Sequence, residues 1–360
     1  MANSAVRRNN RGAALLIVLW LAAALSAIAL TIASTVRGET ERSSTDADGL
    51  KAYYLASGAI DRMLLYMEKP GAPQNRGRNS SRRGKRAQSA EPQSNALPTR
   101  IQPTTRMLAL NFPTGVAIGE IIPETSKLDV NKATPKELLN LLVALGQDPA
   151  HAEEIVAGIL DWRGSNRGGS ASGFDQYYLS LTPSFEARHA SLQEIEELLL
   201  VRGVTPDLFY GSETRNEQGQ LVPHAGLRDC LSVYGSLGPF DVNTVEPAVM
   251  QAIGIAPDRA AAIYAFRKRA PFRTTGQLAP FRRGGPGTNR LEIQRLKTGQ
   301  PMALTLRATA QLKLSNGQLS EVRRTVSELV MFLDADSELY KPNEPPYHVL
   351  RWYENAVPLQ

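Results

Sequence analysis

The chain has 360 residues, of which 42% are apolar, a net charge of +6 and a single cysteine, Cys230. This length allows more than one domain, the apolar content excludes wholesale disorder, and a lone thiol excludes an intramolecular disulfide or a cysteine metal cluster. The net positive charge invites a nucleic-acid reading, but its distribution opposes one. Residues 1–12 hold three arginines and no acid, and residues 70–106 hold eight Lys/Arg against Glu91 alone, so the rest of the chain is mildly acidic.

From Ala13 to Ala33 no charged residue interrupts the chain. A helix needs roughly 20 such residues to cross a hydrocarbon core of about 30 Å. Arg7, Arg8 and Arg11 precede the run, which keeps the short tail cytoplasmic and sends the remainder outward. A cleaved secretory signal has an apolar core of about 7–15 residues with a small-residue cleavage site behind it. Here the run passes into Thr35-Val36-Arg37-Gly38-Glu39 without that boundary.

A short basic leader ending in Gly12, directly before an apolar helix, resembles the class III signal of type IV pilins and pseudopilins. The resemblance implies that prepilin peptidase cuts between Gly12 and Ala13 and methylates the new N-terminus. Most members of that family carry Glu at the fifth mature position, where this chain has Ile17. A carboxylate within an apolar bundle is costly unless paired, so a subunit with no neighbour above it gains by lacking one. An apolar residue there is the mark of the K-type minor pseudopilins of type II secretion, which the resemblance places at the filament tip.

Between Gly38 and Met67, Ala47, Leu50, Tyr54, Ala56, Ile60, Leu64 and Met67 recur near helical spacing and predict a buried stripe. Gly49 and Gly58 weaken that helix and predict a bend; Pro70-Gly71 ends it. Residues 70–106 are rich in Gly, Pro, Ser, Asn, Gln and Arg and read as a disordered basic linker. The alternation of Val116, Ile118, Glu120 and Ile122 then predicts a strand.

Thr134 and Glu137 form a capping box around Pro135, opening a helix whose expected buried face is Leu138, Leu139, Leu141, Leu142 and Leu145. Gly146 stops it, and a second helix starts at Asp148-Pro149 and runs to about Trp162. The unit repeats: Asp129-Val130-Asn131 returns as Asp241-Val242-Asn243, and Gly146 and Pro149 return as Gly254 and Pro257. Two short helices joined through Gly resemble a helix-hairpin-helix pair. Such pairs bind DNA through turn amides and nearby Lys or Arg, and Arg267, Lys268, Arg269 and Arg273 make the second copy basic. The first copy carries Glu153, Glu154 and Asp161 instead, and both Gly turns are degenerate. A packed helical lobe is the preferred reading; a membrane-anchored DNA-binding protein of the competence type is the alternative.

Asp161-Trp162-Arg163, a Gly/Ser loop, Asp175-Gln176-Tyr177-Tyr178 and the stretch Ser191 to Gly203 resemble the K-type family closely, with Ser191 and Glu194 expected to cap a helix. In that family the loop is usually acidic and helps to hold calcium. Here it carries Arg163 and Arg167, leaving Asp161 and Asp175 as the candidate calcium ligands, whereas calcium normally takes six to eight oxygens. Beyond the second repeat, residues 302–314 and 322–332 alternate around an Asn316-Gly317 hairpin turn, with a third strand over 347–353.

No catalytic constellation emerges. His151, His189, His224 and His348 sit in unrelated contexts, and Gly284-Gly285-Pro286-Gly287 lacks the flanks of a phosphate loop. Cys230 has no basic motif beside it. The expected fold class is therefore α+β: a pilin-like head, with a long N-terminal helix on an antiparallel sheet, and a large inserted all-helical domain with helix-hairpin-helix-like repeats. The segments are a leader (1–12), a spine helix (13–69), the linker (70–106), head strands (107–128), the insert (129–299) and the C-terminal sheet (300–360). The resemblance implies a non-enzymatic minor pseudopilin in the bacterial inner membrane, single-pass, with its C-terminal domain in the periplasm. Its implied partners are other minor pseudopilins, the major pseudopilin, prepilin peptidase and membrane lipid, with no nucleic acid.

Overall fold

A computed structural model describes residues 11–68, 106–164, 173–215, 219–282, 290–299, 302–333 and 345–354. The linker expected over 70–106 lies outside them except for Arg106, as do most of the Gly/Ser loop and Gly284–Gly287. Helix α1 (Arg11–Glu68) is a single element of 58 residues. Its first half touches nothing: Leu15 to Val36 expose every large apolar side chain. Among the described residues it is the one helix long and apolar enough to cross a membrane.

The second half of α1 packs on a five-stranded antiparallel sheet of β1 (Met107–Phe112), β2 (Gly115–Pro123), β3 (Ala303–Lys313), β4 (Leu319–Phe332) and β5 (Tyr347–Glu354), in that order across the sheet. Ala56, Ala59, Ile60, Met63 and Leu64 meet Leu110, Ala117, Leu306, Ala308, Val326 and Val330 in one core. The buried stripe is therefore turned from the expected one, since Leu50 and Tyr54 face outward. Small residues decide this: Ala52, Ala56 and Ala59 let the helix settle onto the sheet, and spacing alone does not rank Ala above Leu or Tyr. The expected bend is not needed to accommodate Gly49, because the Arg324 guanidinium fills the space a Cβ would take there.

Two contacts orient the head. Gly115 lies against Leu55 and Gly119 against Met63, each too close for a Cβ. Strand β2 thus runs parallel to α1 and away from its apolar half, and Pro123 at its end is distal. Everything between β2 and its neighbour β3 is inserted at that far end.

The insert has its own core, including Leu138, Leu141, Ile155, Trp162, Tyr178, Val249 and Ile263. Helix α2 (Pro135–Ala144) is opened by the Thr134–Glu137 capping box, with both reciprocal bonds formed, and Asp148 caps α3 (Pro149–Arg163). Their counterparts are α4 (Pro247–Ala252) and α5 (Pro257–Arg269). Gly146 and Gly254 adopt φ of 88° and 97°, the left-handed turn that favours glycine.

The two copies match in their bonding. Asn131 donates to the carbonyl of Leu192 and accepts from its amide, and Asn243 does the same with Phe272. Arg163 donates to the carbonyls of Val130 and Ala133, and Arg267 to those of Val242 and Val245. Two expectations are corrected. The insert is not all-helical: Leu128-Asp129 pairs in parallel with Leu231-Ser232, Phe240-Asp241 with Leu296-Lys297, and Ser212–Arg215 forms a hairpin with Leu221–His224. Runs of two residues carry no period that a sequence reading can find. Nor does Ser191 cap a helix; a short 3-10 segment, Ile195–Leu200, starts at Glu194, whose amide donates to Glu197.

Because Ile60 is fully buried at the seam between α1 and the sheet, Ile60→Ala is expected to cost about 2–5 kcal/mol. Urea unfolding of the detergent-solubilised chain, followed by the fluorescence of Trp352 on β5, is the measurement.

Candidate functional site

Three features bear on function: the bare rod, the cluster around Asp161, and the basic face of the second repeat. On the rod, Gly12 and Ala13 lie in the first helical turn and Ile17 points outward, 65% exposed, among Leu16, Val18 and Trp20. The rod offers no buried partner for a carboxylate, so an apolar residue at position 17 suits either lipid or a bundle of apolar helices.

Asp161 stands at the end of α3, and Asp175 in the first turn of helix α6 (Gly173–Ser180). Between them Trp162 packs edge-on against Tyr178 with ring centres 5.5 Å apart, and Tyr178 stacks on Phe185 at 5.2 Å. This aromatic wedge holds the two carboxyl groups on one side. His189 completes the cluster, its backbone at φ 47°. The carboxylate and imidazole ligand atoms of Asp161, Asp175 and His189 lie within 4.8 Å of one another. His189 is absent from the residues that the sequence picks out, since it lies 28 and 14 positions from its two partners.

Both ring nitrogens of His189 face oxygen. Nε2 lies 2.8 Å from Asp175 Oδ1, and Nδ1 lies 3.1 Å from the backbone carbonyl of Asp161. A carbonyl can only accept, so Nδ1 carries a hydrogen, and an ionised Asp175 accepts from Nε2. Burial by itself would lower the imidazole, but the bonds to Asp175 and the Asp161 carbonyl outweigh it and raise it above its ordinary 6.5. The ring thus bridges the Asp175 carboxylate and the Asp161 backbone carbonyl, and both contacts favour its protonated form. The second oxygen of Asp161 is buried without a hydrogen-bond partner, and the charge of the ring beside it is what offsets its burial.

Calcium takes six to eight oxygens and rarely nitrogen. Among the described residues the cluster supplies two carboxylates and an imidazole, a set closer to that of a transition ion, and one carboxylate oxygen already holds the ring. Arg163 does not enter the cluster; its guanidinium turns to the backbone of residues 130 and 133. Among the described residues these donors by themselves fall short of the six to eight oxygens that calcium takes.

The basic face of the second repeat is also partly used internally. Arg267 is buried, its guanidinium committed to two backbone carbonyls, so one of the four cations expected to reach phosphate faces inward. Lys268, Arg269 and Arg273 remain exposed.

Comparison with known proteins gives consistent answers. Residues 118–211 match the family model of the type II secretion system (T2SS), protein K. This segment runs from β2 through the first repeat and the Asp161 cluster. A type II secretion system protein K from Klebsiella pneumoniae is 24% identical over 251 residues, covering 67% of this chain and 74% of the relative. Another from Pectobacterium carotovorum subsp. carotovorum is 27% identical over 210 residues, 57% of this chain and 61% of the relative. In fold, the chain resembles one from the crystal structure of the GspK-GspI-GspJ complex of the enterotoxigenic Escherichia coli type 2 secretion system. The TM-score is 0.51 at 13% identity, covering 89% of this chain and 99% of that one.

Two outcomes follow from the cluster. A group raised on folding contributes stability that is complete below its unfolded value and is lost as pH rises through the folded one. The melting temperature should therefore fall as pH climbs above 6.5, and His189→Asn should flatten that slope when both proteins are melted across pH 5.5–8.5. Millimolar calcium added after EDTA treatment should leave the melting temperature of the unaltered chain unmoved, as read by differential scanning fluorimetry.

Proposed function

We propose, taking this chain as a type II secretion system protein K and therefore a minor pseudopilin, that it occupies the terminal position of a periplasmic pseudopilus. The observation that carries this reading is the placement of the insert. Strand β2 runs along α1 away from the apolar rod, so the lobe between β2 and β3 sits at the far end of the head. A subunit added above would have to lay its own rod across that lobe. The expected division therefore stands as part of the reading: spine helix, head strands on either side of the insert, and the insert itself as the cap.

Processing fits the same position. Cleavage between Gly12 and Ala13 leaves the apolar rod in the mature protein, with a methylated amine at its tip. Ile17 then removes the need for a charged partner inside the bundle, which a terminal subunit lacks. In the bilayer the rod spans the inner membrane once, and the head and lobe stand in the periplasm. The partners are the I- and J-type minor pseudopilins, as in the complex whose fold this chain shares, followed by the major pseudopilin; prepilin peptidase acts first. The cluster of Asp161, Asp175 and His189 is a brace for the lobe. Nucleic-acid binding gains nothing from the inward-facing Arg267, and no residue constellation argues for catalysis.

Mass spectrometry of the protein from membranes that contain active prepilin peptidase tests this. The expected mature chain begins at N-methylated Ala13, and a Gly12→Val variant should retain residues 1–12. A mature chain that still begins at Met1 overturns the reading.

A further inference from the structure

From Arg259 to Leu291 the chain holds no acidic residue, and its eight cations there are seven arginines and one lysine. Two of the eight are used internally. Arg267 is buried against backbone carbonyls, and the Lys268 ammonium lies over the ring of Tyr264, 4.6 Å from its centre. Four others, Arg259, Arg269, Arg273 and Arg282, make no side-chain hydrogen bond or ion pair among the described residues.

Packing gathers these four around one small apolar surface. Arg259, Ala262, Phe266 and Arg269 follow one another along α5 at spacings of three, four and three residues, which is one stripe of a helix. Phe266 meets Phe272 with ring centres 4.6 Å apart, and each meets Phe281 at 6.0 Å. Arg273 follows Phe272 and Arg282 follows Phe281. The aromatic triad thus brings three separate lengths of chain together, each carrying an exposed arginine. Phe272 is buried, whereas Phe266 is 37% exposed and Phe281 half-buried. Lys268, two residues from Phe266, lies round the other flank of α5.

The acids that border the stretch stand elsewhere. Asp258 adjoins Arg259 in the first turn of α5, about 16 Å along the axis from Arg269. The Glu292 carboxyl lies against the glycine turn of the second repeat, where a Cβ on Gly254 would meet it at 2.8 Å. In a helix-hairpin-helix that turn is where amides receive phosphate, and an acid beside it repels phosphate.

We propose that this surface, Arg269, Arg273 and Arg282 around Phe266 and Phe281 with Arg259 at its edge, binds an acidic segment of another protein. Consecutive Asp or Glu residues would meet the guanidiniums, and an apolar side chain would cover the exposed edge of Phe266. Arginine in place of lysine, beside aromatic rings, is the composition of protein–protein contacts. The guanidinium fork takes a carboxylate through two parallel bonds and is more weakly hydrated than an ammonium. Clustered cations without a counter-charge repel one another until an acidic partner neutralises them. The proposal rests on the minor-pseudopilin reading in one respect: a lobe standing in the periplasm meets polypeptides rather than nucleic acid.

The test uses the full-length chain in non-ionic detergent and a fluorescein-labelled octaglutamate peptide, followed by fluorescence anisotropy at low ionic strength. Joint replacement, Arg269→Ala with Arg273→Ala and Arg282→Ala, should weaken binding about tenfold or more. The melting temperature should hold, because none of the three side chains has a bond to lose among the described residues. The same three positions changed to Lys keep the charge without the fork, and should recover part of the loss. Lys268→Ala, on the other flank, should stay within about twofold of the unaltered chain. Undiminished binding by the triple alanine variant, or an equal loss with Lys268→Ala, would overturn the proposal. So would an oligothymidylate of matching charge that binds more tightly than octaglutamate. The intact mass of the same preparation keeps the two readings apart: a chain that still begins at Met1 removes the minor-pseudopilin reading and leaves the binding result standing.

Discussion

The seam between the second half of α1 and the sheet is the constraint on which the rest depends. A 58-residue helix whose first half has no protein contact among the described residues is held in register by Ile60, Met63, Leu64 and the alanines at 52, 56 and 59 set against the sheet. Burial of this kind is worth roughly 25 cal/mol per Å² of apolar surface, and it fixes more than stability. Because Gly115 and Gly119 meet Leu55 and Met63 without room for a Cβ, the strands can take only one direction along the rod. That direction places the insert far from the bare apolar half of the helix.

The insert solves a different problem with the same means twice over. Each half begins with a two-residue parallel ladder and continues through an Asp-Val-Asn turn. An asparagine then clasps a distant backbone pair, and an arginine closes the turn carbonyls. These bonds satisfy buried polar groups that two short helices cannot satisfy by themselves. The arginines lie at different places along the two second helices, yet they reach equivalent carbonyls. The three-dimensional repeat is thus closer than the sequence repeat, and the same bonds brace both halves of the lobe.

Charge is handled in opposite ways at two places. Around Asp161 and Asp175 the His189 imidazole lies against the acid, with its protonated form favoured. Under α1, the buried Glu328 has no such partner among the described residues.

The sequence by itself determined many of the features that depend on neighbours along the chain. The uncharged run from Ala13 to Ala33, the Gly12 junction, Ile17, the Thr134–Glu137 box, the glycine turns at 146 and 254, and the Asn316-Gly317 hairpin all express local chemistry that a linear reading can see. The tertiary structure alone decided which face of α1 is buried, that Arg267 points inward, that His189 joins Asp161 and Asp175, and that Glu328 is buried within reach of the Asp61 charge. Each of these pairs residues far apart in the chain, and their proximity comes from packing that no periodicity encodes. Leu50 and Tyr54 show the limit most plainly: by hydropathy they belong inside, and only the close approach allowed by three alanines turns them to the outside.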